Sequence, residues 1–224
     1  MQARQGKERV RKATPVRKNR GGRRIRSPGR LETALTIPVG VLEAARALAK
    51  LNLKPKRTIR FVLFSGEEQG LYGSQEYVKA HKNDLEKISA VLVHDTGTGR
   101  VLTLGLHDNY QDRELVDQIL SPLRELKLLE PRMARSFGTD HLSFDEVGVP
   151  GFYCIQDRAE YSLTHHSQSD TFDKVWKDDL NQGAEVLAAW AYNTANLPEM
   201  LPRRRCPTIR ARMRRIRKFP NPTR

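Results

Sequence analysis

From Val39 to Asn52 the apolar residues Val41, Leu42, Ala44, Ala45, Ala47, Leu48 and Leu51 recur at helical spacing, with Arg46 and Lys50 on another face. Pro55 ends that pattern. The next run, Ile59-Arg60-Phe61-Val62-Leu63-Phe64, is short, apolar and rich in β-branched and aromatic residues, which predicts a buried strand over Arg57–Phe64. A helix is expected over Glu67–His81, with Leu71, Tyr77 and Val78 available for its buried side. Ile88–His94 and Val101–Leu106 read as a second and a third strand. Leu115, Ile119, Leu123 and Leu126 form a stripe that predicts a helix over Asp112–Leu126, interrupted near Pro122. Gly138 opens a short helical stretch up to Val147, and Phe152–Ile155 is a fourth strand. A long helix over Asp179–Leu197 carries Ala184, Val186, Leu187, Trp190 and Ala191.

Strands alternating with helices predict an α/β fold: a three-layer α/β/α sandwich around a mostly parallel, partly mixed central sheet. Ligands of such sheets bind outside the carboxyl ends of the strands. That is where this chain keeps its unusual polar residues. Glu67-Glu68 follow the first strand, Asp95 the second, and His165-His166 the fourth.

Charge divides the chain. The 224 residues carry a formal +14, of which residues 1–30 hold +11 and residues 203–224 hold +10, so residues 31–202 are left at −7. An acidic body of about 39–202 is therefore expected between basic, disordered segments at 1–38 and 203–224. Basic tails suit anionic partners. These lack aromatic interleaving and any helical apolar period, so a nucleic-acid partner is not expected. Cys154 lies in an apolar run and reads as a small buried residue, while Cys206 lies in the basic tail. No apolar stretch approaches a membrane span, and no apolar region follows the basic N-terminus, so no signal peptide is recognisable and localisation stays open. Nothing in the sequence decides the oligomeric state.

Each polar cluster has two readings. Glu67-Glu68 is either a solvated helix start or a pair of carboxylates that need a cation beside them. Asp95, followed by Thr-Gly-Thr-Gly, is either an Asx-turn or a ligand. His94, by strand alternation, points away from it. His165-His166 is either a polar loop or a source of zinc ligands, and Asp170 is either a helix cap or a carboxylate that orients an imidazole.

Taken in order, Arg-Phe-Val-Leu-Phe-Ser-Gly-Glu-Glu-Gln-Gly-Leu-Tyr-Gly-Ser, Val-His-Asp-Thr-Gly-Thr-Gly-Arg, Gly-Thr-Asp-His-Leu-Ser-Phe-Asp-Glu-Val-Gly-Val-Pro-Gly-Phe and Thr-His-His-Ser-Gln-Ser-Asp-Thr-Phe-Asp-Lys-Val resemble the M28 family of zinc exopeptidases, in its carboxypeptidase Q-like branch. The resemblance covers about residues 39–202 and implies hydrolysis of terminal bonds in peptides or dipeptides. It implies Glu67 as general base, Glu68 as ligand of one zinc, Asp95 and His166 as ligands of another, and Asp140 and His141 as lining the substrate pocket, with His141 placed to stabilise an oxyanion. Asp170 would sit behind the metal ligands.

The chain departs from the family pattern in one region. Relatives add a His ligand in a His-x-Asp segment and a bridging Asp just before the first helix. Here no His precedes His81, and the bridging position falls on Glu32-Thr33-Ala34-Leu35-Thr36. The first strands of the family sheet are missing with them. Weak or absent zinc binding, little peptidase activity and an exposed sheet edge are therefore expected, or a scaffold that binds without catalysis. The patternless Arg-rich ends match what a shifted reading frame of GC-rich DNA would encode.

Overall fold

The computed structural model describes residues 33–204. Helix α1 (Thr33–Lys50) leads into an extended segment, and α2 spans Tyr72–Ala80. Strands β1 (Val91–Val93) and β2 (Val101–Gly105) precede α3 (Arg113–Leu120), which tightens into a 3₁₀ turn over Ser121–Leu126. Then come α4 (His141–Asp145), β3 (Gly151–Gln156), α5 (Tyr161–Thr164) and α6 (Lys177–Asn196). None of the described helices is long and apolar enough to cross a membrane.

The sheet order is β1-β3-β2, with β3 parallel to β1 and antiparallel to β2, so the described sheet is mixed. On one face α6 packs against β2, and α1 and α3 pack against α6. On the other, α4 lies on β1 and β3 with α2 outside it. The larger core follows the α6 face: Val101, Leu104, Val116, Phe152, Val186 and Trp190 are buried together. A smaller core of Val78, Leu85, Phe144, Val147 and Val149 fills the α4 face. Gln182 fixes the layers relative to each other, because its side-chain amide donates to the Val101 carbonyl (2.9 Å) and its carbonyl accepts from the Val101 N–H (2.8 Å).

Four expectations change. Helix α1 begins at Thr33, inside the segment expected to be disordered up to residue 38. Residues 57–64 are extended but form no strand, since nothing among the described residues hydrogen-bonds their main chain into a ladder. The second helix begins at Tyr72 rather than Glu67, because Gly66 (φ 74°) and Gly70 (φ 119°) turn the chain through conformations a helix excludes. The ordered body also extends past residue 202. Arg203 donates to the carbonyls of Gly148, Leu85 and Ile88, and Arg204 reaches Asp108 and Asp145. The expected break near Pro122 is present as the change from α to 3₁₀ geometry. Cys154 is buried, which pushes its thiol up and leaves it inert; Cys206 and residues 1–32 lie outside the described residues.

Asp112, at the start of α3, is fully buried, and its Oδ1 has no hydrogen-bond partner. Desolvation raises its pKa to about 7 from 3.8. A carboxyl that keeps its proton in the folded state contributes stability below the unfolded pKa and loses it as pH rises through the folded value. Between pH 4 and 7.5 this removes roughly 2–4 kcal/mol. Asp112→Asn is expected to raise stability at pH 7.5 and leave it nearly unchanged at pH 4. Urea unfolding at the two pH values tests this, and an equal effect at both would contradict it.

Candidate active site

The first carboxylates stand on the turn between the extended segment and α2. Glu67 accepts through its carbonyl from the N–H groups of Gly70 and Leu71 (both 2.9 Å), and Gly66 O accepts from Tyr72 N–H (3.1 Å). That turn leaves Glu67 half-buried and Glu68 exposed, both lining one large cavity.

Asp95 follows β1 at the carboxyl end of the sheet and lines the same cavity. Its carboxylate makes no hydrogen bond to the following turn, so the Asx-turn is not realised. The turn is held from outside by Gln156, the last residue of β3. Thr96 N–H donates to Gln156 Oε1 (3.0 Å), and Gln156 Nε2 donates to the carbonyls of Gly97 (3.1 Å) and Gly99 (2.8 Å). Gly97 has φ 71°, and a Cβ there would lie 2.9 Å from the Tyr161 ring. Asp95 is thus positioned by a buried amide behind it and an aromatic wall in front. His94 turns the opposite way, as expected. It is buried against α6, where a Cβ on Gly183 would come within 2.9 Å of its Nε2, and burial depresses its pKa to about 4.

His165 and His166 close the short α5 helix, their rings stacked at 3.8 Å. His166, at φ 55°, turns toward the glutamates, and its Nε2 lies 2.5 Å from Glu68 Oε2. His165 instead leans on Tyr161 at 4.8 Å. Asp170 lines the cavity as well.

Asp140 joins the group from the loop before α4. It is 7% exposed, and its Oδ1 is buried without a partner. The carboxylates act on one another. Burial raises the pKa of Asp95 to about 8, with Glu67, Asp140 and Glu68 adding repulsion in that order. Burial also raises Glu67, with Glu68 and Asp140 pushing further and His166 opposing them, and burial raises Asp140. The site is a concentration of negative charge in a poorly solvated place.

His141 does not share it. The expected pocket residue is fully buried and is absent from the cavity lining. Its ring stacks on Tyr153 (5.1 Å), Thr139 Oγ1 lies against its Nδ1, and its Nε2 faces His107 Nδ1 at 3.4 Å. An imidazole so enclosed stays neutral, with its pKa depressed to about 3 by burial and then by His107. Gln156 and Tyr161, in turn, were not singled out from sequence. Gln156 carries the same signal as Asp95, a polar residue closing an apolar strand, while Tyr161 carries none that separates it from a core aromatic.

The donor set can be tested against a metal. Among the described residues, one group of three has its ligand atoms within 4.8 Å of one another: His107, Asp108 and Asp145. That trio is already compensated. Arg204 pairs with Asp108 and Asp145 (2.7 Å each), Arg135 with Asp108 (2.5 Å), and Asn109 donates to Asp145 (2.9 Å). Glu68, Asp95 and His166 form no such trio. As folded, they do not fit a catalytic zinc, which takes three converging protein ligands.

Gln156→Leu would leave one N–H and two carbonyls of the Asp95 turn without partners, at a cost of roughly 2–4 kcal/mol. Chemical denaturation is expected to show that loss; a change below about 0.5 kcal/mol would mean that the amide does not hold the turn.

Comparison with known proteins places the chain in a family. The model of Peptidase family M28 matches residues 36–191. Human carboxypeptidase Q is 34% identical over 161 residues, covering 72% of this chain and 34% of that protein. Leucine aminopeptidase 1 of Neurospora crassa is 29% identical over 173 residues, covering 70% and 43%. Among solved structures, a peptidase M28 precursor from Shewanella amazonensis superposes with a TM-score of 0.68 at 30% identity, covering 75% of this chain and 38% of that one. The Legionella pneumophila LapA aminopeptidase shares the fold (TM-score 0.59, 24% identity). The chain spans about a third of the length of the carboxypeptidase Q relatives it matches. With more than half of its residues matched by the family model, the chain belongs to peptidase family M28, a family generally dependent on zinc.

Proposed function

We propose that this site serves hydrolysis of terminal peptide bonds, and that the chain as folded performs it weakly. The observation that carries the reading is that Glu67, Glu68, Asp95, Asp140 and His166 all line one cavity at the carboxyl end of the sheet. Glu67 is the base. Half-buried and pushed toward neutrality by its neighbours, it takes a proton from the attacking water and returns it to the leaving amine. Asp140, a cavity-lining residue whose buried Oδ1 has no partner, would suit a substrate ammonium or amide N–H once that oxygen is uncovered. Glu68, Asp95 and His166, with Asp170 behind them, are the ligands that the family resemblance implies, and they would have to draw together to hold a metal. A second reading is a scaffold that binds peptides without cleaving them. It is favoured by the failure of Glu68, Asp95 and His166 to converge.

Hydrolysis of leucine amide and of dipeptides, with excess zinc supplied, separates the readings. Slow turnover that falls roughly a hundredfold in Glu67→Gln supports a weakened peptidase, since general-base groups contribute about that much or more. Turnover absent in both proteins leaves the scaffold. Fast turnover with about two zinc ions per chain would contradict the weakening, because that site needs ligands these residues do not supply.

A further inference from the structure

The carboxylates of the cavity differ in spacing from the other acidic group of the fold. His107, Asp108 and Asp145 bring three ligand atoms within 4.8 Å of one another, and among the described residues no trio drawn from Glu67, Glu68, Asp95, Asp140, Asp170 and His166 does so. That spacing limits a point cation. Oxygens that share one ammonium or one divalent ion, at about 2–3 Å each, stand no more than about 5 Å apart. Either ion therefore meets at most two of these side chains at once. A cation that spreads its charge and its donors over several atoms is not so limited.

Charge and burial call for such a cation. No Lys or Arg among the described residues pairs with Glu67, Asp95 or Asp140. Three basic residues that line the same cavity are engaged elsewhere. Arg57 donates to the carbonyls of Leu197 (2.6 Å) and Pro198 (3.1 Å), Arg60 to Tyr77 Oη (3.0 Å), and Lys87 to Asp84 (2.8 Å). The His166 imidazole is taken up with Glu68. Asp140 adds an observation of its own. Its side chain lines the cavity and is nine-tenths buried, and its Oδ1 has no partner. A carboxylate oxygen withdrawn from water in this way is costly until a donor meets it. Reaching it takes a shift of the loop ahead of it, where Gly138 (φ 102°) has nothing within 4 Å of the place a Cβ would occupy.

The walls suit a planar cation. Phe137 lines the cavity and is 76% exposed, so an aromatic face stands in water beside the carboxylates. Tyr161 lines it too, with its ring against Gly97 in the Asp95 turn. Guanidinium groups stack on such faces and present several N–H donors in a fixed plane. The fold already contains one example. Arg204 lays a single guanidinium across two carboxylates, Nη1 on Asp108 and Nη2 on Asp145, at 2.7 Å each.

We propose that the carboxylate end of the cavity is a guanidinium-binding site. Glu67, Asp95 and Asp140 accept from the N–H groups of an arginine side chain, and Phe137 and Tyr161 supply its aromatic walls. The ligand class is arginine and its amides or short peptides. That the arginine belongs to a peptide undergoing hydrolysis rests on the peptidase reading; binding of the guanidinium does not.

The test is calorimetric titration of the full-length protein in EDTA at about 0.15 M salt, which screens long-range attraction. The probes are argininamide, lysinamide and leucinamide. Argininamide is expected to bind roughly tenfold or more tightly than either of the others, as a charge-assisted fork requires. Asp95→Asn and Glu67→Gln each relieve repulsion, so the variants fold, and each is expected to weaken argininamide binding roughly tenfold. Glu130→Gln removes an acid that pairs with Arg113 outside the cavity lining and is expected to leave binding unchanged. Equal affinity for argininamide and either other amide would overturn the proposal. So would an equal loss in Glu130→Gln, or no loss in the two cavity variants. Selective binding without turnover of argininamide when zinc is supplied keeps the guanidinium site and removes the peptidase reading. Absence of selectivity overturns the site even where leucine amide is hydrolysed.

Discussion

Glu67, Asp95 and Asp140, partly or fully withdrawn from water with the exposed Glu68 beside them, are the constraint on which the rest of this structure turns. Like charges that cannot be solvated must be neutralised by protons, by a cation or by distance. Here protons do much of that work: Asp95 is held up to about 8, and Glu67 and Asp140 are raised with it. The Nε2 of His166 lies 2.5 Å from Glu68 Oε2, at the edge of the group. The contrast lies elsewhere in the same fold. Asp108 and Asp145 also stand side by side, but Arg204 and Arg135 close on them, and that pair needs nothing further. One carboxylate group is finished by the chain itself, and the other is left waiting for a cation.

The incomplete charge balance and the incomplete sheet occupy one cavity. The space between residues 59–64 and β1 runs into the carboxylates. In the larger core Val101, Leu104, Phe152 and Val186 are fully buried. The helices on both faces keep their positions around the gap because side-chain bonds hold its ends, rather than because a ladder runs across it.

Much of this was legible in the sequence. The long helix over Asp179–Leu197 lies within a residue or two of α6, and the Leu115–Leu126 stripe and its break at Pro122 follow from side-chain period and proline chemistry. Glu67, Glu68, Asp95 and His166, picked out by the sequence pattern, line one cavity, although only Asp95 follows a strand closely. What escaped depends on neighbours that period cannot report. Residues 57–64 have every local property of a strand, but a strand needs a partner, and none of the described residues provides one. The missing partner was expected to expose an edge and instead leaves an interior gap. His141 sits in a motif that implies a pocket, yet the stacking of Tyr153 and the approach of His107 draw its ring inside. Gln156 closes a strand as Asp95 does, but an amide without charge gives no hint that it will hold a turn.

Carboxyl-carbon NMR titration of Asp95 in the metal-free protein addresses the central claim most directly. Crowded, buried carboxylates without a compensating cation require Asp95 to titrate near 8. Titration near its ordinary 3.8 would show that the group is solvated or already neutralised, and would contradict the account.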